Sequence, residues 1–223
     1  MNKITIGFDV YGTLVDPLEL SQCLQILIGE KSKIFAELWR QKQLEYTFRR
    51  GLMNRYQDFD ICTQQAMQYA INYFDISLSS EEKYNLLYIY KTLKPFPDAV
   101  PALKTLKKGN NNLVAFSNGI SSTLKILLSN AKLLDYLENI ISADDLRTFK
   151  PNPKVYEYLA KKTGVDLENC WVVSSNSFDV IGAKSAGLCS AWIARDEHTI
   201  LDPWEVQPDI TVNNLIEFAA YLQ

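Results

Sequence analysis

One carboxylate, Asp9, closes a short apolar run from Ile4 to Phe8 and is followed by the turn Tyr11-Gly12-Thr13. An aspartate so placed can act as a nucleophile, take a proton or hold a cation. It can equally be a turn residue or a helix N-cap. Further along come Ser117-Asn118-Gly119, Lys150-Pro151 and Ser174-Ser175-Asn176-Ser177-Phe178-Asp179. Each has an ordinary explanation by itself. Asn-Gly is a common turn dipeptide, Lys150 can be a solvated surface charge, and the serines and Asn176 can be N-caps. The single histidine, His198, stands in the polar stretch Arg195 to Thr199 and reads as a surface loop. Triads built on histidine and His-rich metal sites are therefore poor candidates, and hydrolysis would have to run on carboxylates, Lys and Arg.

The elements that must position these groups alternate. Ile4 to Phe8 predicts a buried strand, with Gly12 free to take turn angles. Pro17 to Leu93 reads as helical, interrupted at Gly29-Glu30-Lys31 and at Gly51. Its first long helix would be capped by Ser32, a second lies near Phe59 to Phe74, and a third starts at Ser79-Ser80-Glu81-Glu82. Pro95-Phe96-Pro97 marks a return, followed by a helix from Asp98 to Lys108 ending on Gly109 as a C′ glycine. Strands are expected at Leu113–Ser117, Asn139–Ser142, Cys170–Val173 and Ser190–Ala194. Between them lie helices through Leu124, Leu127 and Leu128, through Val155, Tyr156 and Leu159 up to Gly164, and from Ile181 to Ala186 closing at Gly187.

This alternation calls for an α/β fold, a Rossmann-like doubly wound parallel sheet with an inserted all-helical cap subdomain. The core would be residues 1–16 and 94–223, and the cap 17–93. In such a sheet the strand ends converge on one crevice, and an insertion directly after the first strand sits where a lid belongs.

Composition narrows the partners. With 47 % hydrophobic residues a full core is available, and the net charge of −3, with no basic block, argues against nucleic acid. The four cysteines are scattered without a CxxC pair, which fits reduced thiols in a cytoplasmic protein. No apolar run nears the ~20 residues of a membrane span, and nothing at the N-terminus resembles a signal peptide.

Taken together and in this order, the four segments resemble the haloacid dehalogenase-like superfamily, whose members use an aspartate after the first strand as nucleophile. The matching stretches are Phe8-Asp9-Val10-Tyr11-Gly12-Thr13-Leu14, Ser117-Asn118-Gly119, Lys150-Pro151 and Ser174 to Asp179. Phosphatases of that superfamily carry a second acid two residues after the nucleophile, where this chain has Tyr11. Their last motif supplies acidic Mg²⁺ ligands, where this chain has Ser174-Ser175-Asn176. One carboxylate fewer at each place undermines an oxygen site for Mg²⁺. These substitutions, and the lid segment Leu38-Trp39-Arg40-Gln41-Lys42-Gln43-Leu44-Glu45-Tyr46, resemble the L-2-haloacid dehalogenases, which use no metal or other cofactor.

The resemblance implies a short 2-haloalkanoate as substrate and a homodimer as assembly. It implies Asp9 as nucleophile, Lys150 neutralising it, Ser174 and Asn176 holding nearby oxygens or the water, and Thr13 and Tyr156 positioning these groups. Asp179 would either activate the water or hold Lys150 in place. Ser117, with nearby main-chain N–H groups, would take the substrate carboxylate, and Val10 and Tyr11 would line the substrate. Arg40, Asn118 and Phe178 would form a halide cradle, although Arg40 read by itself is a surface helix arginine. Two other readings stay open: a phosphatase or phosphonatase of the same superfamily, and a non-catalytic relative that binds a carboxylate or a protein.

Overall fold

The structure is a computed structural model describing residues 4–109, 111–196 and 199–223; His198 lies outside them. The strands are β1 (Thr5–Phe8), β2 (Asn112–Ser117), β3 (Asn139–Ser142), β4 (Cys170–Ser174), β5 (Cys189–Ile193) and β6 (Ile210–Val212). They form one six-stranded sheet in the order β3-β2-β1-β4-β5-β6, with every pairing parallel. The chain builds outward from β1 through β2 to β3, then returns to the other side of β1 for β4. That reversal opens a crevice at the carboxyl ends of β1 and β4.

Side chains on a strand alternate between faces. Leu113 and Ala115 of β2 enter one apolar cluster, and Val114 and Phe116 enter the other. The first cluster is covered by α5 (Ala99–Lys108), α6 (Ser121–Asn130) and α9 (Leu215–Tyr221), through Leu103, Leu124 and Phe218. The second is covered by α7 (Pro153–Thr163) and α8 (Ser177–Ser185), through Tyr156, Leu159 and Ala183. Gly7 allows this closeness, because a Cβ there would come within 2.7 Å of Leu159.

Between β1 and α5 the chain folds into the helical cap: α1 (Leu20–Ile28), α2 (Ser32–Leu52), α3 (Phe59–Tyr73) and α4 (Ser80–Ile89). Its interior, with Phe35, Trp39, Cys62 and Leu86, runs into the first sheet cluster through Leu14, Val15 and Leu20. Local chemistry starts these helices. Asp58 accepts from the Ile61 N–H at 2.8 Å, and Ser79 and Glu82 form a reciprocal capping box. Asn152 caps α7, with Pro153 in its first turn, and Gly164 ends it at φ 69°.

Three local expectations are corrected. Ser32 lies inside the first turn of α2, and its hydroxyl donates to Gln25 Oε1 at 2.7 Å instead of capping. The break expected at Gly51 is present: α2 ends at Leu52, and the chain turns through Met53 and Asn54, the latter at φ 52°. Gly109 has φ −79°, so α5 ends without a left-handed cap. The last small-residue helix begins at Ser177, not Ile181, which puts Phe178 and Asp179 in its first turn. β6 and α9 were not foreseen; β6 is a three-residue, partly exposed edge strand, too short to show a period.

Candidate active site

The site is assembled at the end of β1. The Asp9 N–H donates to Val173 O at 3.0 Å, carrying the β1–β4 register one residue past the strand. The Val10 carbonyl then accepts from the N–H groups of Thr13, Leu14 and Val15, so the chain reverses around it, with Gly12 at φ +92°. This turn brings the Thr13 hydroxyl back to Asp9, where it donates to Oδ2 at 3.0 Å and accepts from the Ser175 N–H at 2.9 Å. Asn176 stands at the N-cap position of α8, yet its side chain is spent elsewhere. Its Nδ2 donates to Asp9 Oδ2 at 2.8 Å and to Tyr11 O at 3.1 Å.

The other carboxylate oxygen faces a cation. Lys150 Nζ donates to Asp9 Oδ1 at 3.3 Å, to Asp179 Oδ2 at 2.8 Å and to Phe116 O at 2.8 Å. Tyr156 donates its hydroxyl to Asp179 Oδ1 at 3.0 Å, and the Lys150 N–H donates to Asn118 Oδ1 at 2.8 Å. Lys150 is 1 % exposed and Asp179 fully buried, while Asp9 keeps 6 %. A buried charge persists only when paired and hydrogen-bonded, and here the ammonium has three acceptors. Burial pushes the Asp179 carboxyl up, to about 6; the Lys150 attraction opposes this and the nearby Asp9 charge adds to it. Burial, then the Asp179 charge, holds the Tyr156 phenol well above its ordinary value.

Arg40 comes from the cap. Its guanidinium donates to Tyr11 O at 3.3 Å and to Gln43 Oε1 at 2.6 Å, and Gln43 is held in turn on Thr63 Oγ1 at 2.5 Å. Burial lowers the Arg40 pKa, opposed by the attraction of Tyr90 and Asp9. The Tyr11 ring lies 5.4 Å from Phe59 and 6.1 Å from Tyr90, which makes an aromatic wall. Phe178 meets Phe48 of the cap edge to face at 5.1 Å.

Thus Asp9, Thr13, Lys150, Tyr156, Asn176 and Asp179 form one hydrogen-bonded network, and Asn118 joins it through the Lys150 main chain. Arg40 joins through Tyr11 O. Ser117 and Ser174 sit one step back. The Ser117 hydroxyl accepts from the Gly119 N–H at 3.2 Å and the Ser174 hydroxyl from the Asn176 N–H at 3.1 Å, so they shape loops beside Asp9. Val10 contributes its carbonyl to the turn, with its side chain wholly buried. Three groups escaped sequence reasoning: Phe116 O, Gln43 and Arg195. Gln43 could have been found from its i+3 spacing to Arg40. Arg195 donates to Thr13 O at 2.6 Å and pairs with Asp98 at 3.1 Å, and nothing local marks it.

Such an arrangement suits a carboxylate nucleophile. One oxygen is fixed by two neutral donors, the other is balanced by a cation, and the cap encloses the open side. Among the described residues, no group of three His, Cys, Asp or Glu side chains is placed to hold a metal ion.

Comparison with known proteins agrees with this chemistry. A haloacid dehalogenase-like hydrolase family model matches residues 5–187. The chain is 33 % identical to an (S)-2-haloacid dehalogenase of Pseudomonas putida, over 97 % of this chain and 95 % of that one. It is 36 % identical to haloacetate dehalogenase H-2 of Moraxella sp. (strain B), over 95 % of each. Among solved structures, the L-2-haloacid dehalogenase of Xanthobacter autotrophicus with chloropropionic acid covalently bound superimposes with a TM-score of 0.93. It is 29 % identical, with 99 % of this chain and 98 % of that one covered.

Proposed function

This chain belongs to the haloacid dehalogenase-like hydrolases, and from that premise we propose that it hydrolyses short L-2-haloalkanoic acids, such as 2-chloropropionate, to D-2-hydroxy acids and halide. The observation that carries the reading is Lys150 Nζ bridging Asp9 and Asp179 at 3.3 and 2.8 Å, with Tyr11 where a phosphatase would need an acid. Asp9 attacks C2 opposite the halogen, so the C–O bond forms as the carbon–halogen pair leaves as halide, and C2 inverts. Water then adds to the ester carbonyl on Asp9, not to C2, so the inversion is kept and the carboxylate is regenerated. Carboxylates are weak nucleophiles, so alignment by Thr13 and Asn176 and exclusion of water by the cap supply much of the acceleration.

In this scheme Lys150 balances charge on the Asp9 oxygens as the tetrahedral adduct forms. Arg40, Asn118 and Phe178 receive the halide, and Ser117 with the main chain at Val10 and Tyr11 receives the substrate carboxylate. Ser174 keeps Asn176 in register, and Tyr156 keeps Asp179 facing Lys150. Both roles open to Asp179, proton acceptor and anchor of Lys150, need its ionised form. We take residues 1–16 and 94–223 as the core and 17–93 as the cap.

The test is chloride release from L- and D-2-chloropropionate in EDTA, with p-nitrophenyl phosphate plus Mg²⁺ in parallel. Chloride from the L form alone, undiminished by EDTA, is the expected result; Mg²⁺-dependent phosphate release without chloride would overturn it. The same assay should lose activity on the acid side. Protonation of Asp179, with its pKa raised to about 6, removes the charge that both roles require, so kcat/KM, which reports the free enzyme, falls as pH drops through that value.

We also propose a homodimer formed through the cap, where Tyr73, Tyr84 and Tyr88 leave large aromatic surface in water. Light scattering should return twice the chain mass, and the mass of one chain would dismiss the dimer. Free thiols at Cys23, Cys62, Cys170 and Cys189 support a reducing, cytoplasmic location. Among the described residues no helix is long and apolar enough to cross a membrane.

A further inference from the structure

The cations of α2 are not paired alike. Lys42 donates to Glu45, three residues on, at 2.7 Å, and Arg49 also pairs with Glu45. Arg40 meets an amide at the same spacing, Gln43 Oε1 at 2.6 Å, and its other acceptor is the neutral Tyr11 O at 3.3 Å. Among the described residues no carboxylate lies within ion-pair distance of Arg40. The Gln43 amide is itself held in one orientation. The Thr63 hydroxyl donates to Phe59 O at 2.7 Å, so its oxygen is left to accept from Gln43 Nε2 at 2.5 Å, and Oε1 turns to the guanidinium. Trp39, one residue before Arg40, ties α2 to the same threonine by donating Nε1 to Thr63 O at 2.9 Å. Gln43 and Trp39 are wholly buried and Thr63 nearly so. A buried amide satisfied at both ends fixes its neighbour and brings no negative charge.

We propose that Gln43 is a positioning residue for halide departure, aiming the Arg40 guanidinium through Thr63 while leaving its charge unspent for the leaving anion. The inference rests on the dehalogenase reading above, in which Arg40 receives the halide. A guanidinium already fixed in place needs no reorganisation as charge develops on the halogen. A glutamate at position 43 would hold the same fork of N–H donors but oppose its field where the halide forms. Aim and charge are thus set by different groups.

Gln43→Glu separates the two, because it keeps an acceptor for Arg40 and the Thr63 hydroxyl can turn to donate to it. The experiment uses the full-length protein and measures single-turnover halide release from L-2-chloropropionate and L-2-bromopropionate. Competitive inhibition by sodium bromide, at constant ionic strength, is measured beside it. Gln43→Glu should stay folded yet bind bromide about tenfold or more weakly. It should also lose more on the chloro than on the bromo substrate, because chloride is the poorer leaving group and leans more on the cradle. Thr63→Val, which frees the amide to turn, should weaken bromide inhibition in the same direction, and Thr63→Ser, which keeps the hydroxyl, should not. Wild-type bromide inhibition in Gln43→Glu, or equal losses on both substrates, would reduce Gln43 to a packing residue and overturn the proposal. If Gln43→Glu does not fold, the Thr63 variants decide, and equal bromide inhibition of the two overturns it. No halide from the wild type with either substrate would instead strike down the dehalogenase reading, and the role of Gln43 with it.

Discussion

Asp9→Asn is expected to lower halide release by on the order of 10⁴-fold or more with the protein still folded. The amide has the shape of the carboxylate and can still accept from Thr13 and Asn176, which now bond Oδ2 at 3.0 and 2.8 Å. What it lacks is the electron pair of an anion. The amide NH₂ then faces the Lys150 ammonium, which now lies 3.3 Å from Oδ1, but Lys150 keeps Asp179 and Phe116 O as acceptors, so the cost is about 1–3 kcal/mol and the fold survives. Circular dichroism and a melting curve check the fold beside the activity. A complementary measurement is a single turnover of the wild type in ¹⁸O water. Ester hydrolysis at the Asp9 carbonyl puts the label into the protein first, whereas direct attack of water on C2 would put it only into the hydroxy acid.

The second large effect is expected at Lys150. Lys150→Met leaves two carboxylates, one fully buried and one nearly so, without their shared cation. Breaking a buried pair by removing one partner costs about 3–5 kcal/mol, and in a chain of this length each kcal/mol lowers Tm by about 2–4 °C. Halide release should be lost as well. The stability loss should depend on pH. Burial already raises the Asp179 pKa and Lys150 is what pulls it back, so the substitution moves it further up. An acid with a raised folded-state pKa favours the folded state below its unfolded value and loses that advantage as pH rises through the folded value. The Tm deficit of Lys150→Met should therefore shrink as pH falls from 7 towards 4. Adding Asp179→Asn should recover part of the Tm and none of the activity. A variant as stable as the wild type at pH 7 would mean that the pair contributes nothing to folding.

Much of this was legible in the chain because its signals are local. β1, β2 and β4 are buried along almost their whole length, so they read as apolar runs leading into polar groups. Ser79 and Gly164 mark helix ends by chemistry confined to a few residues. The order of the polar segments was enough to name the family. β6 escaped for the opposite reason: an edge strand of three residues shows no period.

What only the tertiary structure decided are the quantities that depend on every neighbour at once. Lys150 and Asp9 are 141 positions apart, and their 3.3 Å contact exists because the segment after β3 reaches back across the end of β2, where Lys150 Nζ also meets Phe116 O, to the end of β1. Packing of distant segments likewise sets the raised pKa of Asp179, the hold of Arg195 on the Thr13 carbonyl, and the hold of Thr63 on Gln43. Residue type and spacing state which groups are present and how each segment coils. Desolvation, charge pairing and enclosed volume arise only when distant segments exclude water from one another.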